Sequence, residues 1–460
     1  MSDSFILSVT CACAALIFPW FIARKRNPLL PYPPGPKGYP VVGNAFDIKS
    51  KTPQLTYAKW GKLYGDIVYF NVFGQDFVVV ISEEIAHLLA DERSTIYSDR
   101  PALTRPKIGD DWKIHRKLFH SSLKSDVVES FHDVYFSNAR KLVHNIQCDA
   151  PKFLEHFKLF SGSLAPELTY GRKVEGKDDA SIRFVTSIFD ILRRGTKPES
   201  GGLLLAFPIL KHFPSWFLGL GFKADAPRCR EMIATMSELP FCEAKTQLAS
   251  GTLQHCLVSD FLTYEGAEES AARDATSVGV DRSSATAEST ASILETLVLM
   301  MVLHPEIQAK VHAELDDVIG KGVFPTFGDR PRLPFLQAVL YEVMKWNPVF
   351  PLGIPHATTT SDIYEGYHIP KGCIIMFNAW AMSRDCLDPE RFDPSRHLTS
   401  EGQLAPQAKK NNSLSLGSAA DNALWVAAAM ILSAFRFEKA KDASEKAIPV
   451  EPAFASGQVR

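Results

Sequence analysis

The last part of this 460-residue chain lacks cysteine, since none follows Cys386. The eight cysteines form no C-x-x-C pair, which argues against a structural zinc site and a disulfide framework. A formal net charge of −2 gives no electrostatic basis for binding nucleic acid. What the chain does have is 46% hydrophobic and 22% charged residues, a composition typical of a large globular protein.

One long uncharged run lies near the N-terminus, from Phe5 to Ile22. A helix of this length spans a bilayer core, so residues 1–23 are predicted to form a transmembrane anchor. The basic cluster Arg24-Lys25-Arg26 follows the run, and by the positive-inside rule it keeps the body of the protein cytosolic. A cleaved signal peptide is the alternative, but its basic residues would precede the apolar run.

Residues 24–45 read as a basic, proline-rich linker, and residues 46–460 as one mainly α domain with a minor β-sheet. Residues 65–82 predict a β-hairpin around Gly74, and short strand signals return in residues 363–378. Helical periodicity covers residues 126–146, 277–303, 304–320 and 333–346. The last helix is predicted to start near Ala419, with Ser418 and Asp421 as a capping box.

Six short motifs occur in a fixed order along the chain: PPGP (33–36), WKIHR (112–116), ATAEST (285–290), EVMK (342–345), PHATTTSDIYEGYHIPKG (355–372) and DPERFDPSRHL (388–398). Each is weak alone, but the ordered set resembles the microsomal cytochrome P-450 family of haem-thiolate monooxygenases, in a fungal-like form. The resemblance covers nearly the whole chain. It implies a cytochrome P-450-like fold and a haem iron cofactor.

The resemblance also places haem contacts. It implies that Trp112 and Arg116 hold one haem propionate, since an indole N–H and a guanidinium both donate to a carboxylate. His356 matches a second propionate contact. Taken without the resemblance, the first pair could be an ordinary packed Trp–Arg pair, and His356 a plain surface histidine.

The family's acid–alcohol pair for proton delivery to bound oxygen falls on Glu288 and Ser289. An alcohol that is hydrogen-bonded to water can relay a proton without titrating. The fourteen residues between Thr290 and Pro305 fix this register over the nearby Gly279-Val280-Asp281. Ser289 replaces the usual Thr, and Thr286 replaces the Gly that opens a groove in the family's helix. A plain polar Ser/Thr stripe on a helix is the alternative.

Glu342 and Lys345 match the family's Glu-x-x-Arg pair, and Arg396 is predicted to join them in a buried network. Lys is a point charge where Arg is a planar fork, so the network would lose hydrogen bonds and be destabilised. If the pair is instead a solvated i, i+3 pair, the substitution is harmless.

The family's Cys motif, which supplies the axial thiolate of the haem iron, should precede the last helix. The run SLSLGSA (413–419) contains no cysteine, and no His, Cys or Tyr follows His397, so no metal ligand is predicted there. Segments look shortened near residues 102–111, 386–388 and 416–419, while their flanks match well. We hypothesise that segments were excised, by mis-called introns, alternative splicing or small in-frame deletions.

Two functions follow from these observations. The first is a haem-dependent monooxygenase, which inserts one oxygen atom of O2 into a lipophilic small molecule. It would draw electrons from an NADPH-dependent reductase, as a single-pass protein of the endoplasmic reticulum membrane. The alternative is a catalytically inactive, haem-deficient, membrane-anchored remnant, a splice form or a truncated gene model.

Overall fold

The computed structural model describes residues 30–101 (except 41 and 50), 129–176, 221–264, 268–406 and 418–450, and a few single residues: 118, 178, 179, 182, 183, 187, 215 and 408. Side chains of residues 277–288, 418 and 419 and of a few residues between 222 and 237 are not described. The chain forms two compact units. The described part of the first comprises residues 30–101, 215 and 352–382, and the described remainder belongs to the second.

The first unit is built on a small mixed sheet. Its helix α1 (Pro53–Tyr64) precedes strands β1 (Ile67–Val72) and β2 (Gln75–Val80). These strands form the predicted hairpin, with positive φ at Phe73 and Gly74 as two-residue hairpin turns require. Short helices α2 (Glu83–His87) and α3 (Ser94–Tyr97) follow, joined by a π-helical segment, Leu88–Glu92.

Later residues complete this unit. Strand β3 (His356–Ala357) pairs antiparallel with β6 (Ile374–Phe377), which runs parallel to β2 and gives the order β1-β2-β6-β3. Strands β4 (Asp362–Tyr364) and β5 (Tyr367–Ile369) form a separate hairpin, as the strand signals of residues 363–378 predicted. The short helix α11 (Ala379–Met382) follows β6 and contacts α1.

The proline-rich segment packs against this sheet. The Tyr69 N–H of β1 donates to the Pro34 carbonyl at 3.0 Å, and the rings of Tyr32 and Tyr69 stack with centroids 4.5 Å apart. A Cβ at Gly35 would lie 1.8 Å from the Tyr69 carbonyl oxygen, so only glycine fits this approach. The part of the predicted linker from residue 30 onward therefore belongs to the folded unit.

The second unit is helical. Its main helices are α4 (His132–Cys148), α5 (Phe153–Tyr170), α6 (Asp225–Ala249), α7 (Leu257–Thr263), α8 (Glu269–Leu303), α9 (Pro305–Val318), α10 (Pro334–Trp346) and α12 (Ser418–Ala434). Short 3-10 turns include Phe327–Arg332 and Pro394–His397. The apolar helix α12 contacts α4, α8 and α9, and its Trp425 is fully buried. Burial of such large apolar side chains is the main force that holds the unit together.

The four helices predicted from periodicity are present, with ends that differ from the prediction by at most eight residues. The helix predicted from residue 277 begins earlier, at Glu269, and runs unbroken across Thr286. Pro305 opens α9, where its missing N–H costs nothing. The mainly α fold with a minor sheet is likewise confirmed.

The predicted anchor, residues 1–23, lies outside the described residues. Within the described ranges, no single helix has the length and apolar composition needed to cross a membrane. One pair of helical segments, Ser289–Leu303 with Pro305–Val318, passes the same test together, bent by 107°.

Candidate active site

Helix α8 carries the predicted acid–alcohol pair. Ser289 is buried, with 3% of its surface exposed, and Thr290 beside it is also buried. The backbone of Glu288 is helical, but its side chain lies outside the described part of the chain. The helix therefore carries one buried alcohol at position 289. Its part in a proton relay stays a prediction.

Glu342 of α10 is the centre of a buried polar network. It is fully buried, and its Oε1 accepts from the Asp393 backbone N–H at 3.1 Å and from Arg396 Nε at 3.2 Å. Its Oε2 lies 2.9 Å from His397 Nε2. Buried carboxylates of this kind are stable only when donors satisfy both oxygens. The predicted association of Glu342 with Arg396 is present in the structure.

Lys345 contributes to this network by charge alone. Its Nζ lies 3.7 Å from Glu342 Oε1, beyond hydrogen-bonding distance, and has no hydrogen-bond partner among the described residues. The Lys345 side chain is largely buried, so the pair is not the solvated surface pair of the alternative. The sequence did not predict the part played by His397, although it directly follows Arg396 on the same 3-10 turn.

His356 lies at the start of β3, half buried against the Phe377 ring. Its Nδ1 is 2.8 Å from the Tyr97 carbonyl oxygen, so Nδ1 must carry the proton that is donated. Burial and the nearby Arg100 guanidinium lower the pKa of His356 below its ordinary value. In the neutral ring Nε2 is then an acceptor, and it could donate to a carboxylate such as a propionate only after protonation.

Trp112 and Arg116, the other predicted haem contacts, lie outside the described residues. No group of three or more His, Cys, Asp or Glu in the described ranges could hold a metal ion. Burial raises the pKa of the Cys256 and Cys373 thiols, which disfavours the thiolate form that binds iron. Cys386 is exposed and hydrogen-bonds the Ser383 carbonyl.

Arg330 fixes the beginning of helix α12. Its guanidinium donates to Gln337 Oε1 at 2.9 Å, Asn422 Oδ1 at 3.1 Å and Asp421 Oδ2 at 2.7 Å, and it lies over the Trp425 ring. Asp421, predicted to cap the helix together with Ser418, is thus engaged by an arginine from another segment. Whether the two also form a capping box stays a prediction, because the Ser418 side chain is not described.

Comparisons with known proteins show the family of the chain. Residues 33–415 match the family model described as cytochrome P450. The chain is 33% identical to cytochrome P450 monooxygenase 136 of Postia placenta, over 99% of this chain and 90% of that protein. It is also similar to two monooxygenases of Coprinopsis cinerea. COX2 is 31% identical over 96% of this chain and 90% of that protein, and COX1 is 30% identical over 96% and 93%.

The family match covers most of the chain and the relatives align along nearly all of it, in agreement with the mainly helical fold with a small sheet. The chain therefore belongs to the cytochrome P450 family, whose function is haem-dependent monooxygenation.

Proposed function

We propose that the gene encodes a monooxygenase that inserts one oxygen atom of O2 into a lipophilic small molecule, with electrons from an NADPH-dependent reductase. The observation that carries this proposal is the match of residues 33–415 to the cytochrome P450 family model. The buried alcohol of Ser289 on α8 supports a proton relay at that helix. Glu288 would be the acid of that relay, and Ser289 Oγ would hold and pass the proton.

The residues of this chain do not fit a haem held by a cysteine thiolate. No cysteine follows Cys386, whereas the family's ligand precedes the last long helix, here α12. Of the cysteines described, Cys256 and Cys373 are buried, and burial raises the pKa of each thiol. Both lie far before helix α12 in the sequence. If haem bound, its propionates would fall to Trp112, Arg116 and His356, and no cysteine of this chain would stand in the position that the family uses to hold the iron.

We infer that coding segments have been lost near residues 102–111, 386–388 and 416–419. Alignment length supports this hypothesis. The match to the Postia placenta protein spans 492 positions, whereas this chain has 460 residues, so 492 − 460 leaves at least 32 positions without a residue of this chain. The family match also ends at residue 415, next to the last of these sites.

The second candidate function, a haem-deficient, membrane-anchored remnant without catalytic activity, rests only on the lack of a cysteine after Cys386. The family and its named relatives favour the monooxygenase. Both candidate functions hold, each for a different product, if a fuller transcript encodes the active enzyme and the 460-residue sequence is a shortened form of it.

Sequencing the transcript across the codons for Leu416 to Ala419 tests this hypothesis directly. We expect an additional coding segment that contains a cysteine. A faithful sole transcript without such a segment would rule out mis-called introns and alternative splicing as the cause of the shortened sequence.

We also propose that residues 1–23 anchor the protein in the endoplasmic reticulum membrane, with the body in the cytosol. The uncharged run Phe5 to Ile22 and the basic residues Arg24 to Arg26 support this. Carbonate extraction of microsomes should leave the full chain in the membrane fraction and release a chain that starts at residue 30. Release of the full chain would contradict the proposal.

A further inference from the structure

The two oxygens of the buried Glu342 carboxylate are served by different donors. Oε1 accepts from the Asp393 N–H and from Arg396 Nε. Oε2 has one donor among the described residues, His397 Nε2 at 2.9 Å. Lys345, which matches the arginine of the family's Glu-x-x-Arg pair, lies 3.7 Å from Oε1 and makes no hydrogen bond within the described chain.

This arrangement leaves Oε2 dependent on a single side chain. A guanidinium presents two parallel N–H groups and can serve both oxygens of a carboxylate, whereas an ammonium acts as a point charge. A buried charged oxygen without a donor is strongly destabilising. With Lys at position 345, removal of the His397 donor would leave Glu342 Oε2 buried and without a hydrogen-bond donor among the described residues.

The backbone around His397 holds it in place for this contact. His397 ends the 3-10 turn Pro394–His397, and Asp393 caps the start of that turn by accepting from the Ser395 N–H at 3.1 Å. The same Asp393 donates its own N–H to Glu342. Glu342 therefore accepts hydrogen bonds from both ends of the turn, from the Asp393 N–H and from the His397 ring. The His397 ring also makes an edge-to-face contact with the Tyr341 ring, which restricts its orientation.

We propose that His397 is a positioning residue that replaces, in this chain, the hydrogen bond that an arginine at position 345 would give to Glu342. Its ring carries the proton on Nε2 and donates it to Oε2. Positions 345 and 397 are therefore coupled, and arginine at 345 makes the histidine dispensable. The inference concerns the network alone and does not depend on haem or on the proposed function.

A double-mutant cycle on the full chain in detergent tests the coupling. His397→Leu removes the donor and should lower the urea midpoint clearly, whereas His397→Gln keeps an N–H near the same place and should recover most of the loss. Lys345→Arg should raise the midpoint of His397→Leu much more than that of the unmodified chain. Lys321→Arg, at an exposed site, is the control for a general effect of arginine.

Equal shifts from Lys345→Arg in both backgrounds, or a His397→Gln variant as unstable as His397→Leu, would overturn the proposal. If His397→Leu does not fold, the protonation state of the His397 ring in the unmodified chain still tests whether Nε2 donates to Glu342. We expect the nitrogen spectrum of labelled histidine, with the His397 signal assigned by its loss in His397→Gln, to show a proton on Nε2. A signal from the tautomer protonated only on Nδ1 would contradict the assignment.

Discussion

His356 donates through Nδ1 to the Tyr97 carbonyl, and this bond decides what its second ring nitrogen can do. Burial and Arg100 keep the ring neutral to lower pH than in an unfolded chain, so Nε2 accepts rather than donates. The propionate contact implied by the family therefore requires protonation of His356. A carboxylate that binds there would raise the pKa of the ring.

The depressed pKa of His356 predicts a pH dependence of stability. Because the unfolded state takes up the proton first, the free energy of unfolding should fall as pH drops through 6.5, the ordinary value, and should recover above it. His356→Asn keeps an N–H donor near the Nδ1 position but does not titrate. Urea unfolding should be measured between roughly pH 5.5 and pH 7.5. Only the unmodified chain should show the additional loss of unfolding free energy at low pH that comes from His356. Parallel curves for the two proteins would refute this cause.

Among single residues, the sequence could predict side-chain pairs that lie at a fixed spacing on one helix, such as Glu342 with Lys345. The family resemblance added Arg396 to this pair. It could not predict that His397 serves Glu342 Oε2, since this depends on how a 3-10 turn is oriented against α10. The position of Lys345 Nζ, 3.7 Å from the carboxylate, is likewise set by tertiary packing rather than by residue type.

Among the helices and strands, α12 is an example of a helix whose first turn is held by a side chain from another segment of the chain. Its position was predictable from the apolar run and the polar turn before it. Its partner was not, because Arg330 lies about ninety residues earlier and reaches Asp421 and Asn422 through the 3-10 turn Phe327–Arg332. The start of α12 is therefore held by an ionic contact that does not involve a haem ligand.

Replacement of Arg330 should loosen the beginning of α12. In Arg330→Met, Asp421 loses a charge-assisted hydrogen bond, and we expect a loss of about 1–3 kcal/mol in unfolding free energy. Hydrogen exchange of the amides after Asp421 should become faster. The control is Arg332→Met, because the Arg332 side chain is exposed and loss of its pair with Asp329 should cost less than about 1 kcal/mol. Equal losses in the two variants would contradict a special role for Arg330.

The proline-rich segment is a second element whose role depends on one contact. Gly35→Ala would place a methyl group 1.8 Å from the Tyr69 carbonyl oxygen, so the segment must move off β1. We expect a loss of about 1–3 kcal/mol, as for other overpacked sites, measured by urea unfolding. Gly176→Ala, where no atom lies within 4 Å of the added carbon, is the matched control. A Gly35→Ala protein as stable as this control would argue against the packing of this segment.

For the whole molecule, the order of motifs along the chain was sufficient to indicate the family, and the comparisons confirm it. The fold could be predicted because hydrophobic periodicity specifies the long helices, as in α8, α9 and α10. The division into two units could not, because it depends on which distant segments pack together: residues 352–382 join the sheet unit of the N-terminal part. The sequence contains no cysteine after Cys386.

A reduced carbon-monoxide difference spectrum tests the central claim most directly, which is that this chain belongs to a haem-thiolate family but lacks the thiolate. The printed chain and the product of the fuller transcript would be expressed side by side with added haem precursor. We expect a thiolate-type Soret band from the fuller product and none from the printed chain. A thiolate-type band from the printed chain would contradict the account.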